Sequence, residues 1–279
     1  MHALKTEIEH FDQALVACLH ALSAPAASVP ADLGKALHIS FLNLGRLLEK
    51  VPAPVDPLIC AAIMAPNTLG MQAALNSAAA DADLLEIRLD ALDRIEIEKL
   101  LPFALKPIIV TNRKKEEGGC FPGTEPERLA ALRTAVDLGA DYIDLEYRTP
   151  EPLRSELLHQ KKTTGIILSY HDMRGTPGLP ELRNLWQDMT RIRADYYKIV
   201  CTGRHLEDNL TLLHFLKEIA PPEPGIICHA MGSAGLVSRI LAPFFGSRIV
   251  YVAPAGGTRT APGQLEAGPI KQLWDILRL

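Results

Sequence analysis

Short β-branched runs alternate with helical stretches from residue 58 to the C-terminus, and a chain patterned in this way has few folds open to it. The predicted strands are Leu58–Ile63, Leu84–Leu89, Pro107–Thr111, Tyr142–Glu146, Gly165–Ser169, Tyr196–Val200, Ile226–Cys228 and Ile249–Val252. Each is followed by an amphipathic helical stretch, such as Pro126–Leu138 after the third and Leu206–Ile219 after the sixth. Eight strand–helix units in roughly 220 residues predict an α/β fold of the (β/α)8, or TIM barrel, type. A doubly wound open sheet is the main competitor. It usually carries a glycine-rich first βα turn, and here that turn reads Met64-Ala65-Pro66-Asn67.

The N-terminal part follows a different period. Leu4, Ile8, Phe11, Leu15, Leu19 and Leu22 fall at helical spacing, as do Leu33, Leu37, Phe41, Leu44 and Leu48, with a break at Pro25, Ser28 and Pro30. This predicts a helical hairpin over residues 1–52 and a catalytic barrel over 53–279, joined by the proline-rich stretch from Val51 to Pro57. The hairpin is too short to be a confident independent domain and is expected to cap the barrel or pack a dimer. A partner-binding or regulatory role is the alternative.

Hydrophobic residues make up 48% of the 279, enough for a sizeable core, and the net charge of −4 comes with no basic stripe, which argues against nucleic acid as a partner. Five scattered cysteines without a CxxC pair fit reduced thiols in a cytoplasmic protein. The start Met1-His2-Ala3-Leu4-Lys5 has no apolar region of a signal peptide, and no run is long and apolar enough to suggest a membrane span.

In a barrel of this kind the active site lies at the C-terminal ends of the strands. Charged groups recur there: Glu86, Arg88 and Asp90 on the second strand, Arg113 and then Glu117 after the third, Asp144 and Glu146 on the fourth, His171 on the fifth and Lys198 on the sixth. His229 and Arg239 follow the seventh, and Thr260 and Gln264 follow the eighth. Lys198 lies in the apolar run Tyr196-Tyr197-Lys198-Ile199-Val200-Cys201, where alternation points it inward with Tyr196 and Val200. Burial disfavours the charged form of an amine, and a neutral amine is a nucleophile. With a histidine on the neighbouring strand, this suggests imine chemistry on a carbonyl substrate, His171 carrying the proton. Glu86 could orient His171. Arg88, Arg113 and Arg239 are positive charge in need of an anion, which a substrate carboxylate supplies. Duller readings remain: Glu86-Ile87-Arg88 as part of an ion-pair ring, Thr260 and Gln264 as caps of the last helix, and His171, His205 and His229 as metal ligands, although no HxH or HExxH spacing supports the last.

From about Pro57 to Leu279 the chain resembles the type I 3-dehydroquinate dehydratases. The resemblance is carried by Glu86-Ile87-Arg88-Leu89-Asp90, Thr111-Asn112-Arg113 through Glu117-Gly118-Gly119, Asp144-Leu145-Glu146, Ser169-Tyr170-His171-Asp172, Tyr197-Lys198-Ile199, Ser238-Arg239, Phe245-Gly246-Ser247 and Ala261-Pro262-Gly263-Gln264. It implies an imine-forming Lys198, a general acid/base His171 paired with Glu86, and Arg239 as the carboxylate anchor. Arg88, Arg113, Thr260 and Gln264 are implied in substrate recognition. It further implies loss of water from 3-dehydroquinate without metal or organic cofactor, in a homodimer. Three positions depart from the family pattern: Thr260 where serine is frequent, Ala61-Ala62-Ile63 where the first strand often ends near a serine, and a Pro254-Ala255-Gly256-Gly257 loop about two residues longer. The residues alone also admit another aldolase-like imine-forming barrel, or a silent barrel that works through its hairpin.

Overall fold

The computed structural model describes residues 2–23, 27–49, 56–219 and 223–278. Eight parallel strands form one sheet: β1 (Leu58–Ile63), β2 (Leu84–Arg88), β3 (Ile108–Thr111), β4 (Tyr142–Glu146), β5 (Gly165–Asp172), β6 (Tyr196–Thr202), β7 (Gly225–Met231) and β8 (Ile249–Val252). They run in the order β7-β6-β5-β4-β3-β2-β1-β8. The ends of this order meet through Ser247 and Arg248, whose backbone and hydroxyl reach β7: the Arg248 N–H donates to the Ile226 carbonyl at 2.7 Å, and the Cys228 N–H donates to Ser247 Oγ at 3.2 Å. The sheet is therefore a nearly closed (β/α)8 barrel, as predicted.

Side-chain alternation sorts each strand into two environments. On β6, Tyr197, Ile199 and Cys201 join the large apolar layer between the sheet and its helices, whereas Tyr196 packs with the smaller cluster inside the barrel. That inner cluster, including Cys60, Leu84, Ile109, Ile167, Ile227 and Tyr251, fills the lower half of the barrel. Above it the inward positions turn polar. An apolar floor under a polar mouth is what places charged groups in a cleft rather than in solvent.

The covering helices are α3 (Thr68–Ala78), α4 (Glu125–Asp137), α5 (Glu151–Gln160), α6 (Leu179–Met189), α7 (Glu207–Ile219), α8 (Leu236–Leu241) and α9 (Ala267–Leu277). Local signals set their starts: Thr124 and Glu127 close a capping box at α4, with Thr124 N–H to Glu127 Oε2 at 2.7 Å. The expectation of a helix after every strand fails once. Between β2 and β3 the chain makes only 3₁₀ turns, at Leu89–Ala91, Ile97–Lys99 and Leu101–Phe103. There Ile95 and Ile97 alternate with acidic residues instead of recurring at helical spacing, and Pro102 has no N–H to give a longer helix. Strands β5, β6 and β7 also run further than their apolar runs suggest, because the ladder continues through His171↔Val200 and Val200↔His229.

The predicted hairpin forms as α1 (His2–Ala21) and α2 (Ala31–Leu47), which pack on each other and on α7, α8 and α9. Ile8, Phe11, Leu15 and Cys18 of α1 and Leu37, Phe41 and Leu44 of α2 are buried. The Phe41 ring lies 4.9 Å from that of Phe244, and His38 Nδ1 lies 3.1 Å from the Ile276 carbonyl oxygen. Pro25 and residues 51–55 of the expected linker lie outside the described residues.

Candidate active site

The polar mouth lines a cleft that opens to solvent. It gathers Glu86, Arg88, Arg113, His171, Lys198, Arg239, Thr260 and Gln264, the eight residues to which the resemblance assigns catalytic or substrate-binding roles, but not Asp90, Asp144, Glu146 or His205. Glu117, His229 and Tyr251 line it as well.

Lys198 is only 5% exposed. Its Nζ lies 3.1 Å from Asp144 Oδ2 and 3.7 Å from Glu86 Oε1, and 3.9 Å from the centre of the Tyr251 ring. Such a cage suits an ammonium ion through charge and through the π face. Asp144 is the central acid. Its Oδ2 also lies 2.6 Å from Arg113 Nη2, and its Oδ1 accepts from Ser169 Oγ at 2.5 Å. Burial works against its ionisation, but Arg113 and Lys198 hold it well below the usual carboxylate range.

His171 is also buried, and its partner is not the one expected. Glu86 accepts a hydrogen bond from Thr111 Oγ1 at 2.8 Å and faces Lys198, not the histidine. His171 Nδ1 instead lies 3.1 Å from Glu117 Oε2, which also accepts from the His171 backbone N–H at 3.1 Å. An oxygen that already accepts one N–H favours the tautomer in which Nδ1–H donates to it, which leaves the Nε2 lone pair for the cleft. Burial, Arg113 and Lys198 together push the His171 pKa well below its ordinary value, so the ring is neutral at neutral pH. Burial raises the Glu117 carboxyl to about 7 against the opposing pull of Arg113.

Glu117 reaches the histidine because of the turn that carries it. The 3₁₀ turn Lys115–Glu117 ends at Gly118, whose φ of +79° is open to glycine at little cost. At Gly119 a Cβ would stand 2.0 Å from the Arg113 carbonyl oxygen, so only glycine lets the chain fold back against β3. The Glu-Gly-Gly run at 117–119 was the signal for this residue in the sequence.

The three arginines differ. Arg88 is clamped by Asp90, with Nε and Nη2 at 2.8 and 2.7 Å from its two oxygens. Arg113 is held by Asp144, by Glu146 at 3.1 Å and by Ser169 Oγ at 2.8 Å. Both line the cleft, but their charge is already balanced, contrary to the expectation that all three await an anion. Arg239 does await one. It is 2% exposed, its Nε and Nη2 have no hydrogen-bond partner among the described residues, and Nη1 has only a long contact of 3.4 Å to the Tyr251 carbonyl. Burial lowers its pKa to about 10. The adjacent Ser238 fixes it in place: Ser238 Oγ accepts from the Ala230 N–H at 2.9 Å and its N–H donates to Asn209 Oδ1 at 2.8 Å. A desolvated, unpartnered guanidinium of this kind is chemically suited to a carboxylate.

Thr260 and Gln264 do not cap the last helix, whose N-cap is Glu266. The Thr260 N–H and hydroxyl both donate to Gln264 Oε1, at 2.8 and 3.1 Å, which leaves the amide NH₂ for a ligand. Ala62 packs with the inner apolar cluster, and the Pro254 turn closes by a hydrogen bond from the Gly257 N–H at 2.9 Å.

Fold and cleft place the chain among (β/α)8-barrel enzymes whose mouth is furnished for amine and acid–base chemistry on a small anion. Comparison with known proteins agrees. The sequence model of the type I 3-dehydroquinase family matches residues 59–279. The chain is 34% identical over 224 residues to the 3-dehydroquinate dehydratase of Dehalococcoides mccartyi, covering 80% of this chain and 96% of that one. It is 30% identical over 248 residues to that of Methanosarcina barkeri, covering 85% and 99%. The crystal structure of 3-dehydroquinate dehydratase from Geobacillus kaustophilus superposes with a TM-score of 0.73 at 26% identity, over 80% of this chain and 92% of that one. The chain belongs to the type I 3-dehydroquinase family. The helical hairpin lies outside the matched residues.

Proposed function

We propose that Lys198 and His171 carry the chemistry of the cleft, with Glu117 orienting the histidine and Arg239 anchoring the substrate. As a type I 3-dehydroquinase the chain is a hydro-lyase of the shikimate pathway, which converts 3-dehydroquinate into 3-dehydroshikimate through a Schiff base. The observation that supports these roles is an amine and a neutral imidazole on adjacent strands of one cleft, two residues apart along the ladder.

Lys198 first gives up a proton, for which the imidazole of His171 is the acceptor at hand. The amine then attacks the C3 ketone, and loss of water gives the imine. The iminium draws electrons from C2, so His171 Nε2 removes a C2 proton and leaves an enamine. The enamine expels the C1 hydroxyl, which takes a proton from the His171 imidazolium and departs as water. Hydrolysis of the conjugated imine returns Lys198 and frees the enone. Water lost in forming the imine is regained in its hydrolysis, so the net change is the C1 hydroxyl and one C2 hydrogen. Arg239 meets the ring carboxylate, and Arg88, Arg113, Thr260 and Gln264 contact the ring hydroxyls. Residues 53–279 form the catalytic unit and 1–52 an extension that caps it. The protein works in the cytoplasm, as a homodimer.

Borohydride in the presence of 3-dehydroquinate should add the mass of one reduced ring to Lys198, and Lys198→Ala should abolish it. His171→Ala should still form the adduct slowly while turnover, followed by enone absorbance, falls by roughly 10²–10⁴-fold. A folded wild-type protein that gains no mass would sink the reading.

A further inference from the structure

His229 is a buried group that the steps above leave unused. It lies on the inner side of β7, level with Val200, which is itself level with His171. Two imidazoles therefore flank Val200 from the strands on either side, one inward position nearer the mouth than Lys198. His229 is 6% exposed and lines the cleft. Unlike His171 it faces no carboxylate: its ring makes no hydrogen bond among the described residues, and the charged groups acting on it are Arg239 and Lys198. Burial and these two cations push its pKa well below the ordinary value and keep it neutral.

A neutral imidazole has one N–H donor and one acceptor nitrogen, and here both are left for whatever fills the cleft. Its neighbour Arg239 likewise has Nε and Nη2 unpartnered. The two side chains make one unsatisfied patch on the β7 side of the mouth, distinct from the His171–Glu117 pair on the β5 side. We propose that His229 reads the C1 end of the substrate, hydrogen-bonding to the C1 hydroxyl while Arg239 holds the carboxylate borne by the same carbon. This rests on the 3-dehydroquinate reading of the cleft. Because carboxylate and hydroxyl share one carbon, the polar group beside the carboxylate anchor is the one within reach of the hydroxyl. His229 moves no proton. It orients the C1–O bond for departure, and its contact vanishes with the hydroxyl, so it distinguishes substrate from product.

The test uses quinate and shikimate, carboxylated rings that form no imine and differ at C1: quinate bears the hydroxyl and shikimate does not. Calorimetric affinities for both are measured on the wild type, His229→Phe, His229→Leu and His229→Gln. The quinate-to-shikimate affinity ratio is expected to fall about tenfold in the Phe and Leu variants, the worth of one hydrogen bond, and to recover in the Gln variant, whose amide can donate. The two apolar variants differ in volume, so one tests the proposal if the other does not fold. An unchanged ratio, or an equal loss for both ligands, overturns it. Borohydride trapping of 3-dehydroquinate on the wild type separates the two claims. Absence of an adduct sinks the reading of the cleft, whereas an adduct with an unchanged ratio removes only the role of His229.

Discussion

Glu117 shows how one buried side chain couples acidity, stability and turnover. Its carboxyl has a pKa of about 7, against 4.5 in water, so the folded protein holds this proton more tightly than the unfolded chain. The resulting cost to stability is absent below about pH 4.5, grows as pH rises and is complete above about pH 7. The orienting carboxylate, by contrast, exists only above about pH 7. Glu117→Gln is therefore expected to melt higher than wild type at pH 8, with the difference vanishing by pH 4.5. The same variant should lose turnover by on the order of 10⁴-fold, as when a histidine loses the acid that sets its tautomer. In the wild type, kcat/KM should fall as pH drops through about 7, and Glu117→Gln should lack that limb. Arg239 makes the complementary case for binding. Arg239→Ala should raise KM by about 10²-fold, in keeping with two charge-assisted hydrogen bonds, while an imine still traps at saturating substrate.

At the scale of elements, the turn after β3 decides whether Glu117 meets His171. Gly119 lies so close to the Arg113 carbonyl that a Cβ would stand 2.0 Å from its oxygen, and backbone rather than a flexible side chain would have to move. Gly119→Ala should open the turn, draw Glu117 away from His171 and leave Lys198 in place. The expected outcome is a fall in kcat of the same order as for Glu117→Gln, with borohydride trapping retained. If kcat were unchanged, the turn would not be what positions the acid. The strand ends work in the same way: because β5, β6 and β7 continue past their apolar runs, His171, Val200 and His229 sit on paired backbone rather than on loops.

Across the whole molecule, charge is kept inside the barrel by pairing. Arg113, Asp144, Glu146, Arg128 and Lys198 form a connected buried set, in which Glu146 lies between Arg113 and Arg128. The hairpin stands apart from this machinery. None of its described residues lines the cleft, yet Phe11, Leu15, Leu37 and Phe41 are buried with α7, α8 and α9 beneath. Removing residues 1–52 should lower the melting temperature by several degrees and promote aggregation, through the apolar surface uncovered, while the protein that stays folded keeps its kcat. A truncated chain with unchanged melting, solubility and oligomeric mass would show that the hairpin is no cap.

The barrel was legible because eight strand–helix units repeat a local pattern, and the one missing helix is where that pattern was weakest, between Leu89 and Lys106. Alternation put Lys198 on one face with Tyr196 and Val200, and the charged groups recurring at the same place on the other strands pointed that face inward. Partnerships were less legible. The sequence offers His171 several acids, and Glu86 on β2 is the one it suggests, whereas Glu117 meets the ring only because the turn at 115–119 folds back. Nor does sequence tell that Asp90, Asp144 and Glu146 neutralise Arg88 and Arg113 and leave Arg239 alone. Periodicity and strand alternation are properties of neighbours along the chain, so the sequence by itself determined the fold, the inward face and the list of candidates. Which acid meets which base depends on distances across the barrel between residues far apart in the chain, and those were decided only by the tertiary structure.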